Sequence, residues 1–364
     1  MENYQHYYAV IMAGGGGTRL WPLSTKKTPK QMVKIFGEET LFQISVNRLD
    51  GLFTPERIFV VTVAEQADLL SFQTPQIPKG NFLIEPFPKG TASVVGYAAS
   101  YIKQIDPEAI LVILTADHFI QNISEFHNLL RSGYQAAQDK YLVTLGIQPT
   151  FAATGYGYIH KGEPVKCFKD RWAFKVTNFL EKPDNQKAKL MFSSGGYDWN
   201  SGMFIWTVER ILAEFEGSMP QLFEDLHTIA LAWETSARET VLEAVWPTLK
   251  PESIDYGIME RAQQVAVIPA GGLGWSDVGS WDSLFDVLEG DADGNIVMGG
   301  EHIAIDTKSS LVYVNQEHRL IVTIGVNDLV LVDTGDVLLV CHKDQAQRVR
   351  QVVNHLKQEG REYL

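Results

Sequence analysis

Ala9-Val10-Ile11-Met12-Ala13-Gly14-Gly15-Gly16-Gly17-Thr18-Arg19-Leu20 is the stretch from which the fold is read. A short apolar run reads as a buried strand, and four glycines follow it directly. Backbone without side chains comes close to an anion and turns its N–H groups inward, as phosphate-binding loops do. Thr18 adds a hydroxyl and Arg19 a permanent, forked positive charge. Glycine runs also serve as plain loop punctuation. The strand in front and Arg19 behind make this one a cradle for nucleotide phosphates. Two other loops are excluded by inspection. A Walker loop ends in Gly-Lys-Ser/Thr, and this one ends in Gly-Thr-Arg. A dinucleotide fingerprint starting at Gly14 needs a third glycine where Arg19 stands.

Working outward, apolar runs alternate with helix-period segments as far as about Gly146. Tyr8–Met12, Ile58–Val63, Phe82–Ile84, Ile110–Leu114 and Leu142–Leu145 read as strands. Leu41–Leu52, Ala64–Phe72, Thr91–Ile105 and Ser124–Gln138 read as helices. This alternation predicts an α/β fold, a Rossmann-like, mostly parallel sheet flanked by helices. Ligands of such sheets sit beyond the carboxyl ends of the strands. Gly14–Arg19, Glu85 and Asp117 all follow strand ends and are expected to converge on one crevice. From Gly155 to about Ser283 the pattern is mixed. Strands near Tyr156–His160, Phe174–Leu180 and Met203–Trp206 precede a helical block from Val208 to Arg261, and the whole reads as a substrate-binding half. After Leu288 come short β-rich runs and a closing helix with Ala346, Val349, Val352, Val353 and Leu356 on one face. The expected domains are a catalytic one at 1–288 and a small β-rich one at 289–364, the latter a candidate oligomer contact.

Composition narrows the partners. The 364 residues suffice for one large core and a smaller unit. A net charge of −13 argues against nucleic acid, because phosphate-backbone binding wants a basic surface. Two cysteines, Cys167 and Cys341, offer neither a disulfide framework nor zinc spacing and fit a reducing cytosol. Neither a signal-peptide pattern nor an apolar run of the ~20 residues a membrane span needs is visible. A cytoplasmic enzyme or binding protein is expected.

Several residues outside the loop carry chemistry. Lys30, behind Pro29 and near Arg19, reads as a second phosphate-binding cation. Asp117 ends a strand, and Asp277 lies in the turn Trp275-Ser276-Asp277-Val278-Gly279. Mg²⁺ on a nucleotide is held by one or two carboxylates plus phosphate oxygens and water, which two such aspartates can supply. His118 reads as a packing or supporting residue. Glu85-Pro86 follows the third strand. A carboxylate there is either a solvated strand-end group or a reader of guanine, whose adjacent ring N–H and amino group match its two oxygens. Glu181-Lys182-Pro183 offers an acceptor for sugar hydroxyls beside a cation for a phosphate. Asn200 and the backbone of Gly157 are further sugar contacts, and the nearby tryptophans and tyrosines read as packing.

Taken together, the motifs resemble the nucleotide-sugar pyrophosphorylases, and among them the mannose-1-phosphate guanylyltransferase family. The matching residues run from Gly14-Gly15-Gly16-Gly17-Thr18-Arg19-Leu20-Trp21-Pro22-Leu23-Ser24 and Pro29-Lys30-Gln31 onward. They continue through Gly155-Tyr156-Gly157-Tyr158-Ile159, Phe179-Leu180-Glu181-Lys182-Pro183 and Trp199-Asn200-Ser201-Gly202-Met203-Phe204. Ser253-Ile254-Asp255-Tyr256-Gly257-Ile258-Met259-Glu260 and Trp275–Trp281 complete the set. The tail resembles the short β-helical domain of these enzymes, with no cupin-type isomerase domain expected after it. The resemblance implies GTP and mannose 1-phosphate as substrates and Mg²⁺ as cofactor. It implies that Ala13, Gly14, Gly15, Gly16, Gly17, Thr18, Arg19 and Lys30 surround the nucleotide phosphates. Asp117 and Asp277 would hold the metal, and Glu85-Pro86 would read guanine. Lys182 would hold the sugar phosphate, with Glu181, Asn200 and Gly157 on the sugar. The chain departs from the family pattern at Gly90, where asparagine is usual, at Ala116, and at Ala152-Ala153.

Two rival readings are a sister enzyme using UTP or dTTP with glucose 1-phosphate and a non-catalytic, sugar-nucleotide-binding regulatory subunit. Glu85 and the Trp275–Trp281 motif oppose the first. Intact Arg19, Lys30, Asp117, Lys182 and Asp277 oppose the second.

Overall fold

The apolar runs become strands nearly to the residue in the computed structural model, which describes residues 4–15, 17–316 and 318–364. In chain order the first strands are β1 (Tyr7–Met12), β2 (Ile58–Val63), β3 (Phe82–Glu85), β4 (Ile110–Thr115), β5 (Phe119–Ile120) and β6 (Leu142–Ile147). They continue with β7 (Tyr158–Phe168), β8 (Arg171–Leu180), β9 (Tyr197–Thr207), β10 (Val265–Pro269) and β11 (Trp275–Ser276). The helices are α1 (Leu41–Asn47), α2 (Ala64–Gln73), α3 (Thr91–Ile105), α4 (Ile123–Gln138), α5 (Asn185–Ser194), α6 (Val208–Ser218), α7 (Pro220–Leu231) and α8 (Arg238–Val245).

The chain divides into two compact units. The first holds Val46–Ala116 and Asn122–Leu273 with the segment ending at Gly14. The second holds Gly15–Ser45, Asp117–Gln121 and Gly274–Leu364. The chain passes from one to the other at the Gly14–Gly15 and Ala116–Asp117 peptides, both just past strand ends.

The first unit is built on one nine-stranded sheet of order β3-β2-β1-β4-β9-β6-β10-β8-β7. Strands β1 to β4 pair in parallel, and so do β6 and β10. Strand β9 is antiparallel to both β4 and β6, so these two blocks of parallel strands point the same way. Helix α3 buries Val95, Ala98, Ala99 and Ile102 together with Phe215 of α6 and Leu226 of α7, over Val10, Val61 and Ile113 of the sheet. Helix α4 buries Phe126, Leu129 and Leu130 and starts on an Asn122 side chain that accepts the Glu125 N–H. Trp199-Asn200-Ser201-Gly202 lies inside the eleven-residue strand β9, at a shift of register against β6. The helical block read from Val208 to Arg261 is broken at Met219-Pro220, again after α8, and ends in a π-turn, Asp255–Met259.

The second unit packs Leu20, Trp21, Val33, Ile35 and Leu41 with Val278, Trp281 and Leu284. Trp281 Nε1 donates to the Trp21 carbonyl at 3.0 Å, and Trp21 Nε1 to that of Tyr363 at 2.6 Å. Strands β5 and β11 form an antiparallel pair here. The tail adds β12 (Ile296–Met298), β13 (Glu301–Ile305), β14 (Leu311–Val314), β15 (Leu320–Ile324), β16 (Leu329–Asp333) and β17 (Leu338–His342), then α9 (Val349–Glu359). The rungs β12-β14-β16 and β13-β15 pair in parallel, as stacked coils do. One detail differs from the sequence expectation. Val349, Val353 and Leu356 are buried one turn apart, but Val352, at the edge of that narrow stripe, is 40% exposed.

Candidate active site

Lys30 is the centre of a polar cluster in the second unit. Pro29 fixes the backbone ahead of the short turn Lys30–Met32, which carries the lysine inward until it is only 6% exposed. Its ammonium donates to Asp117 Oδ2 at 2.8 Å and to the backbone carbonyl of Asp277 at 2.5 Å. One cation thereby joins the residue after β4 to the residue after β11. Gly17 lies across the lysine stem, where an added Cβ would stand 2.9 Å from Lys30 Cβ. Close approach, more than flexibility, is what demands glycine there. Burial raises the Asp117 carboxyl, but Lys30, His118 and Arg19 outweigh it and hold the group down at about 2. His118 itself accepts from Trp275 Nε1 at 3.2 Å and meets that ring edge-on, the supporting role expected of it. The Asp277 turn carries Val278 at φ +45°, the one β-branched residue with positive φ among the described residues. Strain of this kind persists only where the surroundings impose it.

These two aspartates fit a nucleotide-borne cation. Both are hard oxygen donors, one is held ionised, and Lys30 brings their segments together. Among the described residues no group of three or more His, Cys, Asp or Glu forms a metal site of its own. A sparse pair of this kind suits Mg²⁺ that arrives with phosphate oxygens.

In the first unit, Gly14 lies against Glu85: a Cβ there would collide with the carboxylate. Glu85 is 1% exposed, so it is not the solvated strand-end group of the alternative reading. Its Oε2 has no hydrogen-bond partner. Burial pushes its pKa up to about 7, with a Lys89 backbone N–H pulling the other way. A buried acceptor left unmatched by the chain is costly and points to a partner the chain does not supply. Ala13 is buried, its N–H bonded to the Val61 carbonyl at 2.8 Å, and Pro86 is half-buried. The loop after Glu85 is pinned by Trp246 Nε1 on the Phe87 carbonyl at 2.8 Å. Gly90 has φ +90° and faces the Glu252 carbonyl, into which any side chain would run. This backbone leaves no room for the asparagine that the resemblance implies at this position.

A third cluster, also in the first unit, gathers the expected sugar contacts. Glu181 Oε1 accepts from Lys182 Nζ at 2.6 Å, and its Oε2 is buried without a partner. Gly157 packs on the Glu181 carboxylate, and its carbonyl accepts the Asn200 N–H at 2.8 Å. The Asn200 amide is fixed on both sides. Its oxygen accepts from the Gly202 N–H at 3.1 Å and the Thr144 hydroxyl at 3.3 Å, and its nitrogen donates to Asp255 Oδ1 at 2.8 Å. Burial works against the Lys182 charge, but its bond to Glu181 outweighs that and raises the ammonium. Burial and the neighbouring Glu181 charge push Asp255 up to about 7. Asp255 is the site residue that the sequence reading left without a role. Its partners lie far away in the chain, and only its place in the motif Ser253–Glu260 marked it.

The structure thus assembles Gly17, Lys30, Asp117 and Asp277, with Arg19 in electrostatic reach, in the second unit. It assembles Gly14 with Glu85, and Gly157 with Glu181, Lys182 and Asn200, in the first. Gly15 and Thr18 make no contact with either cluster that defines a role, and Gly16 lies outside the described residues.

The nucleotidyl transferase family model matches residues 8–294, and the MannoseP isomerase/GMP-like beta-helix domain model matches 300–356. Among characterised relatives, the mannose-1-phosphate guanylyltransferase of Escherichia coli (strain K12) is 36% identical over 97% of this chain and 74% of its own length. The alginate biosynthesis protein AlgA of Pseudomonas aeruginosa is 36% identical over 97% of this chain and 72% of its own. A crystal structure described as a mannose-1-phosphate geranyltransferase from Thermus thermophilus superposes with a TM-score of 0.86 at 33% identity, covering 97% of this chain and 99% of that one. The strand-end glycine loop, the buried Lys30–Asp117 pair and the Glu181-Lys182 turn therefore stand in a chain that belongs to the nucleotidyl transferases, in the mannose-1-phosphate guanylyltransferase family.

Proposed function

We propose that the protein transfers GMP from GTP to α-D-mannose 1-phosphate, giving GDP-mannose and pyrophosphate. The observation that carries the nucleotide choice is Glu85, a buried carboxyl with one unmatched oxygen. Guanine offers it two parallel donors. Uracil and thymine offer one ring N–H between two carbonyl oxygens, so one carboxylate oxygen would face a carbonyl instead of a donor, which a hydrogen-bonding site rejects strongly. Pro86, Ala13 and Gly14, the last packed against the Glu85 carboxylate, would line the base side. Lys30, Arg19, Thr18 and the N–H groups of the glycine loop take the triphosphate. Lys182 takes the phosphate of mannose 1-phosphate, and Glu181, Asn200 and the Gly157 backbone take sugar hydroxyls.

A phosphate oxygen of the sugar substrate attacks the α-phosphorus of GTP in line, and the bond to the bridging oxygen breaks on the opposite side. The attacker is already an anion, so no side chain has to remove a proton. Catalysis is positioning and neutralisation of charge. Mg²⁺ bound by Asp117 and Asp277 would supply charge neutralisation to the triphosphate. Lys30 fixes Asp117 in its ionised state and stands ready to meet the leaving group's charge.

Two further expectations belong to this reading. The free, partly accessible cysteines fit a reducing cytoplasm, and no helix among the described residues is long and apolar enough to cross a membrane. Homodimerisation through the C-terminal β-domain is supported by the outward aliphatic row Ile303, Ile305, Val322 and Ile324, the kind of patch that marks a contact surface.

The deciding experiment measures pyrophosphate release with Mg²⁺, four nucleoside triphosphates, and mannose or glucose 1-phosphate. GTP with mannose 1-phosphate should be the fastest pair. Faster turnover of UTP or dTTP with glucose 1-phosphate favours the sister enzyme, and release with no pair favours the regulatory subunit.

A further inference from the structure

The turn at Asp255–Met259 touches the Glu181-Lys182 pair at more points than packing requires. Glu260 Oε1 accepts the Glu181 N–H at 2.9 Å, and the Tyr256 hydroxyl donates to the Glu181 carbonyl at 3.3 Å. Both backbone groups of one residue are therefore held by side chains of a single segment. Asp255, between them in role, accepts the Asn200 amide. The next residue, Lys182, has φ +45°, a left-handed conformation that residues other than glycine hold only when their surroundings impose it. Pro183 follows and disfavours compact backbone in the residue before it, which adds to the strain.

The turn is itself well anchored. The Ile254 N–H donates to Thr91 Oγ1 at 2.9 Å, and the Glu252 carbonyl accepts the Ala92 N–H at 3.1 Å, so the segment rests on the first turn of α3. Its π geometry carries one extra residue in the turn, a device often found at functional sites. A rigid helix end thus supports an irregular turn, and the turn supports a strained cation.

We infer that Tyr256 and Glu260 are positioning residues of the transferase reaction, which hold the Glu181-Lys182 backbone in the strained shape that presents the Lys182 ammonium to the sugar phosphate. The inference rests on the proposed reaction for what Lys182 holds. Without the clamp, Lys182 relaxes to negative φ and its ammonium leaves the sugar-phosphate position, whereas the contacts of Glu85 are untouched. The clamp therefore acts on one substrate and not the other.

The test compares Glu260→Ala, Glu260→Gln and Tyr256→Phe in the full-length chain by initial rates against each substrate, with calorimetric titration of mannose 1-phosphate alone as a readout independent of turnover. Loss of a charge-assisted hydrogen bond should weaken mannose 1-phosphate about tenfold in Glu260→Ala, in both KM and Kd, with the KM for GTP held within about twofold. Glutamine still accepts the N–H and should recover most of the loss; Tyr256→Phe should weaken mannose 1-phosphate about threefold. An equal rise in both KM values overturns the inference. So does a lower melting temperature with both KM values unchanged, or glutamine behaving like alanine. Should Glu260→Ala not fold, Tyr256→Phe with an unchanged sugar-phosphate KM overturns it equally. An unmodified chain that forms no GDP-mannose sinks the transferase reading first, whereas an active chain indifferent to these changes sinks the clamp alone.

Discussion

Replacing Glu85 with Gln should uncouple nucleotide binding from protons. Burial holds this carboxyl at about 7 against an ordinary 4.5, and its Oε2 lacks a partner. At pH 7 the free protein therefore carries about half a proton there. Two donors from guanine favour the carboxylate and drive the pKa down, so binding at pH 7 should release about half a proton. GDP-mannose is the suitable ligand, because its diphosphate has no group titrating near neutrality. Calorimetric titration in two buffers of different ionisation enthalpy reads the proton count directly. Its affinity for the unmodified protein should fall about tenfold from pH 8 to pH 6, as the fraction of ionised Glu85 falls. Stability has its own sign. A carboxyl whose folded pKa is raised binds more protons in the folded than in the unfolded state between about 4.5 and 7, so folding weakens as pH rises through that window. The cost at pH 8 is of order 3 kcal/mol, and Glu85→Gln should remove part of it, melting higher than the parent at pH 8 but not at pH 4. Binding of GDP-mannose with no net proton release at pH 7, or the same release from Glu85→Gln, would refute the assignment.

Three other outcomes follow from the site. Arg19→Ala and Asp277→Ala should each cost about a hundredfold in kcat, the ~3 kcal/mol typical of a lost preorganised charge contact, with an unchanged circular dichroism spectrum; near-normal kcat removes that residue from the mechanism. Lys30→Met should cost more, because it takes away the proposed phosphate ligand and leaves Asp117 without its ion-pair partner, and steady-state kinetics with thermal melting should show both turnover and stability falling. Chelation with EDTA should abolish pyrophosphate release and Mg²⁺ should restore it, since without a cation between them two carboxylates only repel a triphosphate; full activity in EDTA would dismiss Asp117 and Asp277 as metal ligands.

Much of the first unit could be read from the sequence because its signals are local. Strands β1 to β4 are short, mostly apolar runs, and α3 repeats its apolar positions over four turns. What the sequence hid was set by distant partners. The strand read near Met203–Trp206 starts earlier, at Tyr197, and takes in Trp199-Asn200-Ser201-Gly202, where Gly202 has φ +69° at the register shift. Asp255 stood in a quoted motif but received no role, since its partners are Asn200 in β9 and Glu181 just past β8. Grouping of residues 15–45 and 117–121 with the β-rich tail was equally invisible, because it depends on contacts such as that of Trp21 with Trp281, 260 residues apart in the chain.

The central claim is that two anions react directly, brought together by cations, with no group of the protein bonded to phosphorus on the way. GTP carrying a chiral thio-substituted α-phosphorus measures it most directly, through the configuration of the GDP-mannose formed with mannose 1-phosphate. A single in-line displacement inverts that centre. Retention would require two displacements through a covalent guanylyl intermediate, and would contradict the account.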